Sequence, residues 1–318
     1  MVNSIIVGVD IAKAKFDAAL PGALGKGLKG QTFENNPQGF AQFRAWVGGP
    51  ARVGIEATGP YWMSLAEDLH RAGWTVFLLN PAFVKAHGDS AGRRHKTDRA
   101  DAALIADYVR THNCEPWQPL PAELAELREL MRLYADVTEA AAALGQRQEG
   151  LRTPGARALQ HEVAGALKEF ARKILKAASQ HARAHESLSQ PVERLKTIKG
   201  VGEVTALILA AELPRQKSAR SVANWAGVIP RHFESGESVR KSPKISKKGS
   251  DYVRTILYWP AITALRCNPA IKAFAERLKA SGHAKMQIVV AAMHKLLRWA
   301  VGVVKSNTEF NALLHTPS

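Results

Sequence analysis

SIIVGVDIAKAKFDAAL, residues 4–20, opens with a short apolar run that ends on a carboxylate, Asp10. SIIVGVDIA is rich in β-branched residues and reads as a buried strand, and KFDAAL can pair back on it after a tight turn. An acid at the end of such a strand is costly to bury unless it is paired or holds a cation. Working outward, QTFEN (31–35) reads as a third short strand and PQGFAQFRAWV (37–47) as a helix. RVGIEAT (52–58) follows as a strand, YWMSLAEDLHRAG (61–73) as a helix closed by Gly73, and WTVFLLN (74–80) as a strand. A further helix opens near Thr97.

Three strands followed by helix-strand-helix-strand-helix suit a mixed sheet flanked by helices, the order of an RNase H-like domain. Glu56 repeats the anomaly of Asp10, since it too ends an apolar strand. KTDRADAALIADY (96–108) then places Asp98 and Asp101 three residues apart in the first turn of a helix. Helix capping alone explains such a pair; Asp10 could likewise cap a turn, and Glu56 could pair with Lys13 or Arg99. In an RNase H-like sheet, however, the first and fourth strands are neighbours and the last helix packs near their ends. Four carboxylates would then converge. Converging acids raise one another's pKa unless cations neutralise them, and two Mg²⁺ ions about 3.5–4 Å apart do so in phosphoryl transfer.

Composition points to the partner. Within 318 residues, 46% are apolar and 23% charged, as in a folded protein with a substantial core. Lys plus Arg number 44 against 28 Asp plus Glu, a net charge of +16. That balance favours a polyanion, with nucleic acid ahead of a membrane surface. The most apolar stretch, IVVAAMHKLLRWAVGVV (288–304), is interrupted by His294, Lys295 and Arg298, so no membrane span is expected. The first residues lack the basic region and cleavage site of a signal peptide. Two cysteines, Cys114 and Cys267, suggest neither a disulfide framework nor a metal site, which suits a reducing cytoplasm. The histidines show no zinc-ligand spacing. Arg93, Arg94 and Lys96 lie just ahead of the paired acids and are candidates for phosphate contact. Lys13 and Arg99 either touch the scissile strand or balance the acids. For Tyr61 and Trp62, core packing is favoured over base stacking.

Beyond residue 121, LAELRELMRLYADVTEAAA carries apolar or small residues at 124, 127, 131, 134, 138 and 141, a heptad seam. After TPGAR (153–157) a second seam runs through Leu159, Val163, Ala166, Phe170, Ala177, His181, Ala184 and Leu188. Two such helices make an antiparallel hairpin or coiled-coil arm, either packed within the chain or used for dimerisation. Pro191 opens the last region. The expected domains are therefore 1–116, 117–190 and 191–318. LKTIKGVGEVTALILAAEL (195–213) resembles a helix-hairpin-helix, whose Gly-x-Gly turn and Lys199 can approach a phosphate. RHFESGESVRKSPKISKKGS (231–250) has loop composition, with Arg240, Lys241, Lys244, Lys247 and Lys248 as a basic run. Two helices, roughly 250–266 and 284–305, would pack behind it. Five serines (235, 238, 242, 246 and 250) lie in this segment, and Ser235 precedes a glycine that lets backbone approach a phosphate.

VGVDIAK, GIEATGPY and HKTDRADAALIA resemble the RuvC-like domain of the DEDD insertion-sequence transposases, the family described as bridge-RNA-guided recombinases. IKGVGEVTALILAAEL, WAGVIP, ESGESVR, ISKKG and the helix around HKLLRWAV are similar to that family's C-terminal transposase domain. The resemblance spans nearly the whole chain. It implies an α/β RuvC-like domain, a helical arm and a mostly helical C-terminal domain. It also implies Mg²⁺, two ions per site, on Asp10, Glu56, Asp98 and Asp101, and Ser235 as the nucleophile that forms a covalent phosphoserine link to DNA. The implied partners are double-stranded DNA at element ends and target, a noncoding guide RNA, and further copies of the chain in a dimer or tetramer. The implied location is the nucleoid of a bacterial or archaeal cytoplasm. Two alternatives use fewer of these features: a RuvC-like junction nuclease that needs no serine, and a catalytically silent regulator that only binds nucleic acid.

Overall fold

A computed structural model describes residues 5–21, 29–57, 59–90, 98–215, 219–235, 239–246 and 249–311; for 98–99, 148–149, 215, 219–220, 230–235 and 239–244 it describes the backbone alone. The chain divides into two compact units, Met1–Leu120 and Pro121–Ser318.

The first unit is built on a five-stranded mixed sheet. β1 (Ile6–Ile11) pairs antiparallel with β2 (Lys15–Ala19), and β2 pairs antiparallel with β3 (Gly30–Glu34). On its other side β1 pairs parallel with β4 (Arg52–Glu56), which pairs parallel with β5 (Thr75–Leu79). The order β3-β2-β1-β4-β5 puts the first and fourth strands side by side, as the residue pattern requires of an RNase H-like sheet. Alternation along the strands separates two faces. One carries Val7, Val9, Ile11, Phe16, Phe33, Val53 and Ile55 into an aromatic core with Phe40, Phe43, Leu65 and Leu69. Those four come from α1 (Pro37–Val47) and α2 (Met63–Arg71). The opposite face is covered by α4 (Asp98–Thr111), whose Ile105 and Val109 pack with Phe77, Leu79 and Val84.

Val84 belongs to α3 (Pro81–Ser90), a helix absent from the sequence reading. Only Val84 and Gly88 of it are buried, so hydrophobic periodicity is nearly silent there.

In the second unit, α5 (Ala122–Gln146) and α6 (Pro154–Ala184) form an antiparallel hairpin. His181 Nε2 lies 2.8 Å from the Glu123 carbonyl, and Gln160 Nε2 donates to the Leu144 carbonyl. The seam expected on α5 holds at Leu124, Leu127, Met131 and Ala141, which are buried. The seam expected on α6 does not. Leu159, Val163 and Phe170 are exposed, and α6 packs instead through Ala164, Ala171, Ile174, Ala178 and Ala182. Small residues let the two helices approach closely, so the alanine stripe outranks the bulkier one.

Pro191 sits inside α7 (Glu186–Lys196), where it removes one intrahelical hydrogen bond. α8 (Glu203–Glu212) is buried from Thr205 to its end. Its last residue, Glu212, is 2% exposed and is held by Arg128 and Arg132 of α5, with N–O distances of 3.0 Å. α9 (Ala219–Ala226) follows. The segment read as a loop is a two-stranded antiparallel hairpin, β6 (Pro230–Ser235) and β7 (Val239–Ile245). Its charged, serine-rich sequence has no alternating apolar face to announce it.

Three helices, not two, close the chain: α10 (Asp251–Cys267), α11 (Pro269–Ala280) and α12 (Lys285–Ser306). Among the described residues α12 alone is long and apolar enough to cross a membrane. It is a core helix here, burying Val289, Met293, Leu296, Leu297 and Trp299 against neighbours that include α9 and α10. Cys114 and Cys267 are free thiols.

Candidate active site

The carboxylate positions follow from strand register. Val9 pairs with Ile55 across β1 and β4, and Asp10 and Glu56 stand one residue further along each strand. Partners in register on parallel strands point to the same face. That face is the one under α4. A Cβ added to Gly8, two residues before Asp10, would lie 1.9 Å from the Ala102 carbonyl oxygen and 2.4 Å from the Ala106 nitrogen. A Cβ on Gly54, two residues before Glu56, would meet Val109 at 2.6 Å and Ile105 at 2.9 Å. The two glycines therefore let α4 lie directly on the strands.

Asp98 begins α4, and Asp101 stands one turn before Ile105 on the same helical stripe. Asp10, Glu56 and Asp101 are all half-buried. The sheet thus brings Asp10 and Glu56 to one level, and α4 runs its D-x-x-D end along the face they share. All four side chains are carboxylates, the chemistry that suits a hard divalent cation. Among the described residues no three His, Cys, Asp or Glu side chains form a complete ligand group, and the Asp98 side chain lies outside them.

α4 is tied down at its far end. His87 Nε2 of α3 lies 2.9 Å from Asp107 Oδ2, while Arg110 holds Oδ1 at 2.6 Å. Burial alone would raise the Asp107 carboxyl, but the hydrogen bonds and charges of Arg110 and His87 outweigh it and hold the pKa below the usual carboxylate value.

Two residues near the acids escaped sequence reasoning. Asp17 on β2 is the register partner of Asp10, on the same face, and is 7% exposed. Its Oδ1 accepts a hydrogen bond from Thr32 Oγ1 at 2.5 Å. Its position among buried residues of KFDAAL was the available signal. Asn35 Nδ2 donates to the carbonyls of Ala12 at 3.0 Å and Tyr61 at 3.1 Å, joining the turn that carries Lys13 to the segment after Glu56. Asparagine after a strand gives no such hint.

Lys13 is exposed in that turn. Tyr61 is 42% exposed, whereas Trp62 packs against the aromatic core and, edge-on, against Trp117; the core reading holds for Trp62 alone. Arg93, Arg94, Lys96 and Thr97 lie outside the described residues, as do Lys247 and Lys248. Arg99 falls in the first turn of α4, where only the backbone is described.

In the second unit, Ser235 ends β6 and pairs with Val239 of β7. Arg240, Lys241 and Lys244 lie on β7, opposite Glu234, Phe233 and Arg231. Ser242 is also on β7, and Ser238 lies outside the described residues. Ser250 has a structural role as N-cap of α10, accepting from the Val253 amide at 3.3 Å. Lys199 is exposed in the α7–α8 turn, where its carbonyl accepts from Asn268 Nδ2 at 3.0 Å. That turn is packed on one side: Gly200 has φ 109°, and a Cβ there would lie 2.7 Å from Ala264.

Comparison with known proteins gives a consistent result. Residues 7–151 match the IS110-type DEDD transposase domain, and residues 192–276 match the transposase domain of the IS116/IS110/IS902 family. The chain is 30% identical to the pilin gene-inverting protein of Moraxella lacunata over 322 residues, covering 97% of this chain and 98% of that one. It is 27% identical to a probable family 20 transposase of Pseudomonas aeruginosa, covering 69% and 72%. It is 25% identical to the transposase for insertion sequence element IS1328 of Yersinia enterocolitica, covering 81% and 83%.

Proposed function

Because the chain belongs to the IS110-type DEDD transposase family, and is thereby a DNA recombinase, we propose that it exchanges DNA strands through a covalent link at Ser235, using metal held by Asp10, Glu56, Asp98 and Asp101. The observation that carries this is the shared level of Asp10 and Glu56 on one sheet face, with the D-x-x-D end of α4 laid along it.

In this reading the four acids hold Mg²⁺, two ions per site. When bound, the metal supplies charge stabilisation at the scissile phosphate. The chain's own residues do the rest. Ser235 Oγ attacks phosphorus; an O–P bond to serine forms, a P–O bond of the DNA breaks, and the strand leaves with a hydroxyl. The serine proton passes to solvent or to a base at the site. Attack by a hydroxyl of another strand reverses the chemistry and completes the exchange. Ser235 ends β6, and Arg240, Lys241, Lys244, Lys247 and Lys248 in the same segment neutralise backbone phosphates. Lys13, Arg93, Arg94, Lys96 and Arg99 serve the phosphates near the acids, and Lys199 serves those at the α7–α8 turn.

A noncoding guide RNA, self-association to a dimer or tetramer, and a cytoplasmic, nucleoid-associated location complete the proposal. It rests on the family resemblance together with the strongly basic chain. The relatives include both insertion-sequence transposases and a gene-inverting protein. Cleavage and rejoining of DNA strands is common to both outcomes.

The test combines purified protein, RNA transcribed from the flanking DNA, and donor and target duplexes. Asp98→Asn and Asp101→Asn should abolish recombination while leaving gel-shift binding intact. Ser235→Ala should also abolish the protein–DNA adduct that survives denaturation. Recombination lost in Asp10→Ala but retained in Ser235→Ala would rule out the serine. Cleavage with no adduct would favour a RuvC-like nuclease, and binding without cleavage in Mg²⁺ or Mn²⁺ a silent regulator. If Asp98→Asn or Asp101→Asn merely lowers stability by ~1 kcal/mol, the pair is a helix cap.

A further inference from the structure

We propose that Asp17 is a positioning residue of the carboxylate centre, acting through Asp10; the inference rests on the metal-site reading above. Asp17 and Asp10 are register partners on antiparallel strands, with both side chains on the α4 face. Such partners bring their Cβ atoms to roughly 4.5–5.5 Å, and like charges placed so are destabilising. Asp17 is moreover only 7% exposed, so water screens it in part.

A buried acid facing another acid is an awkward arrangement for a residue with only a structural task. Thr32, on edge strand β3, anchors Oδ1 through the 2.5 Å hydrogen bond. No hydrogen bond reaches Oδ2 among the described residues. Thr32, Asp17, Asp10 and Glu56 therefore form a row across four adjacent strands, β3-β2-β1-β4.

Asp10 lies between two acids. Glu56 shares its metal-binding task, while Asp17 stands on the side away from Glu56 with one oxygen already fixed. From there Asp17 strengthens the negative potential at Asp10, which favours a cation there. Partners of this kind alter metal affinity by about 10–100-fold when removed.

Asp17→Asn separates this role from a structural one, because asparagine keeps the size and still accepts from Thr32. The full chain, without nucleic acid, is titrated with Mg²⁺ and separately with Mn²⁺ while its melting temperature is followed. Asp17→Asn should raise the half-saturating Mg²⁺ concentration about tenfold or more, and adduct formation should recover toward the wild-type rate at saturating metal. Thr32→Val, on the exposed edge strand, frees the carboxylate and should shift the midpoint the same way. An unchanged midpoint in Asp17→Asn overturns the proposal; if that variant does not fold, an unchanged midpoint in Thr32→Val does so. Asp101→Asn is the control. If it too leaves the metal response untouched, the metal-site reading fails and this inference fails with it; a response lost only in Asp101→Asn removes the role of Asp17 alone.

Discussion

At the residue scale, the candidate site is a set of acids whose surroundings depend on neighbours not adjacent in sequence. Asp10 and Glu56 were legible as anomalies, because a carboxylate ending an apolar strand conflicts with its surroundings. Asp17 was not, since its partner across β1 and β2 depends on the strand register. A second group shows the same dependence on packing. Burial, and after it the charge of Arg298, holds the His294 imidazole below its ordinary value of 6.5. Its unfolded form therefore takes up a proton more readily than its folded form. The stability it contributes is complete above pH 6.5 and is lost as pH falls below that value. His294→Gln should accordingly reduce the drop in melting temperature between about pH 7 and about pH 5. An equally steep drop in the variant would show that His294 is not the group responsible.

At the element scale, the decisive contact is α4 on β1. Glycine at position 8 allows a backbone-to-backbone approach that any side chain would block. Gly8→Val should destabilise the fold by about 3 kcal/mol or more in urea unfolding, and it should abolish metal-dependent stabilisation by lifting Asp98 and Asp101 off the sheet. Gly49→Ala, which has open space around it, should change stability by less than about 0.5 kcal/mol. Helix starts were unevenly legible. Asn36-Pro37, Asn80-Pro81 and Asn268-Pro269 open α1, α3 and α11, and each asparagine accepts backbone hydrogen bonds in the first turn. The first lies beside a clear apolar pattern and was read correctly. The other two open helices with few buried positions, and periodicity overrode the cap. The β6–β7 hairpin was missed for a related reason, as its strands carry charge and serine where alternation was sought.

At the scale of the whole molecule, the excess of cations governs encounter with the partner. A net charge of +16 makes binding to duplex DNA steeply dependent on salt. If about 6–10 phosphates are contacted, affinity should fall about 10³–10⁵-fold between about 50 and 200 mM salt. Fluorescence anisotropy with a labelled duplex measures this, and a shallow slope would mean that few of the lysines and arginines touch the backbone. The sequence by itself determined the class of partner and the succession of the five strands of the first unit, because charge and periodicity are local properties that survive without a fold. Only the tertiary structure decided that α6 packs through its alanines, that Ser235 closes a strand, and that Asp17 faces Asp10. Each of those depends on which surfaces approach most closely, and close approach is a property of two elements together rather than of either sequence alone.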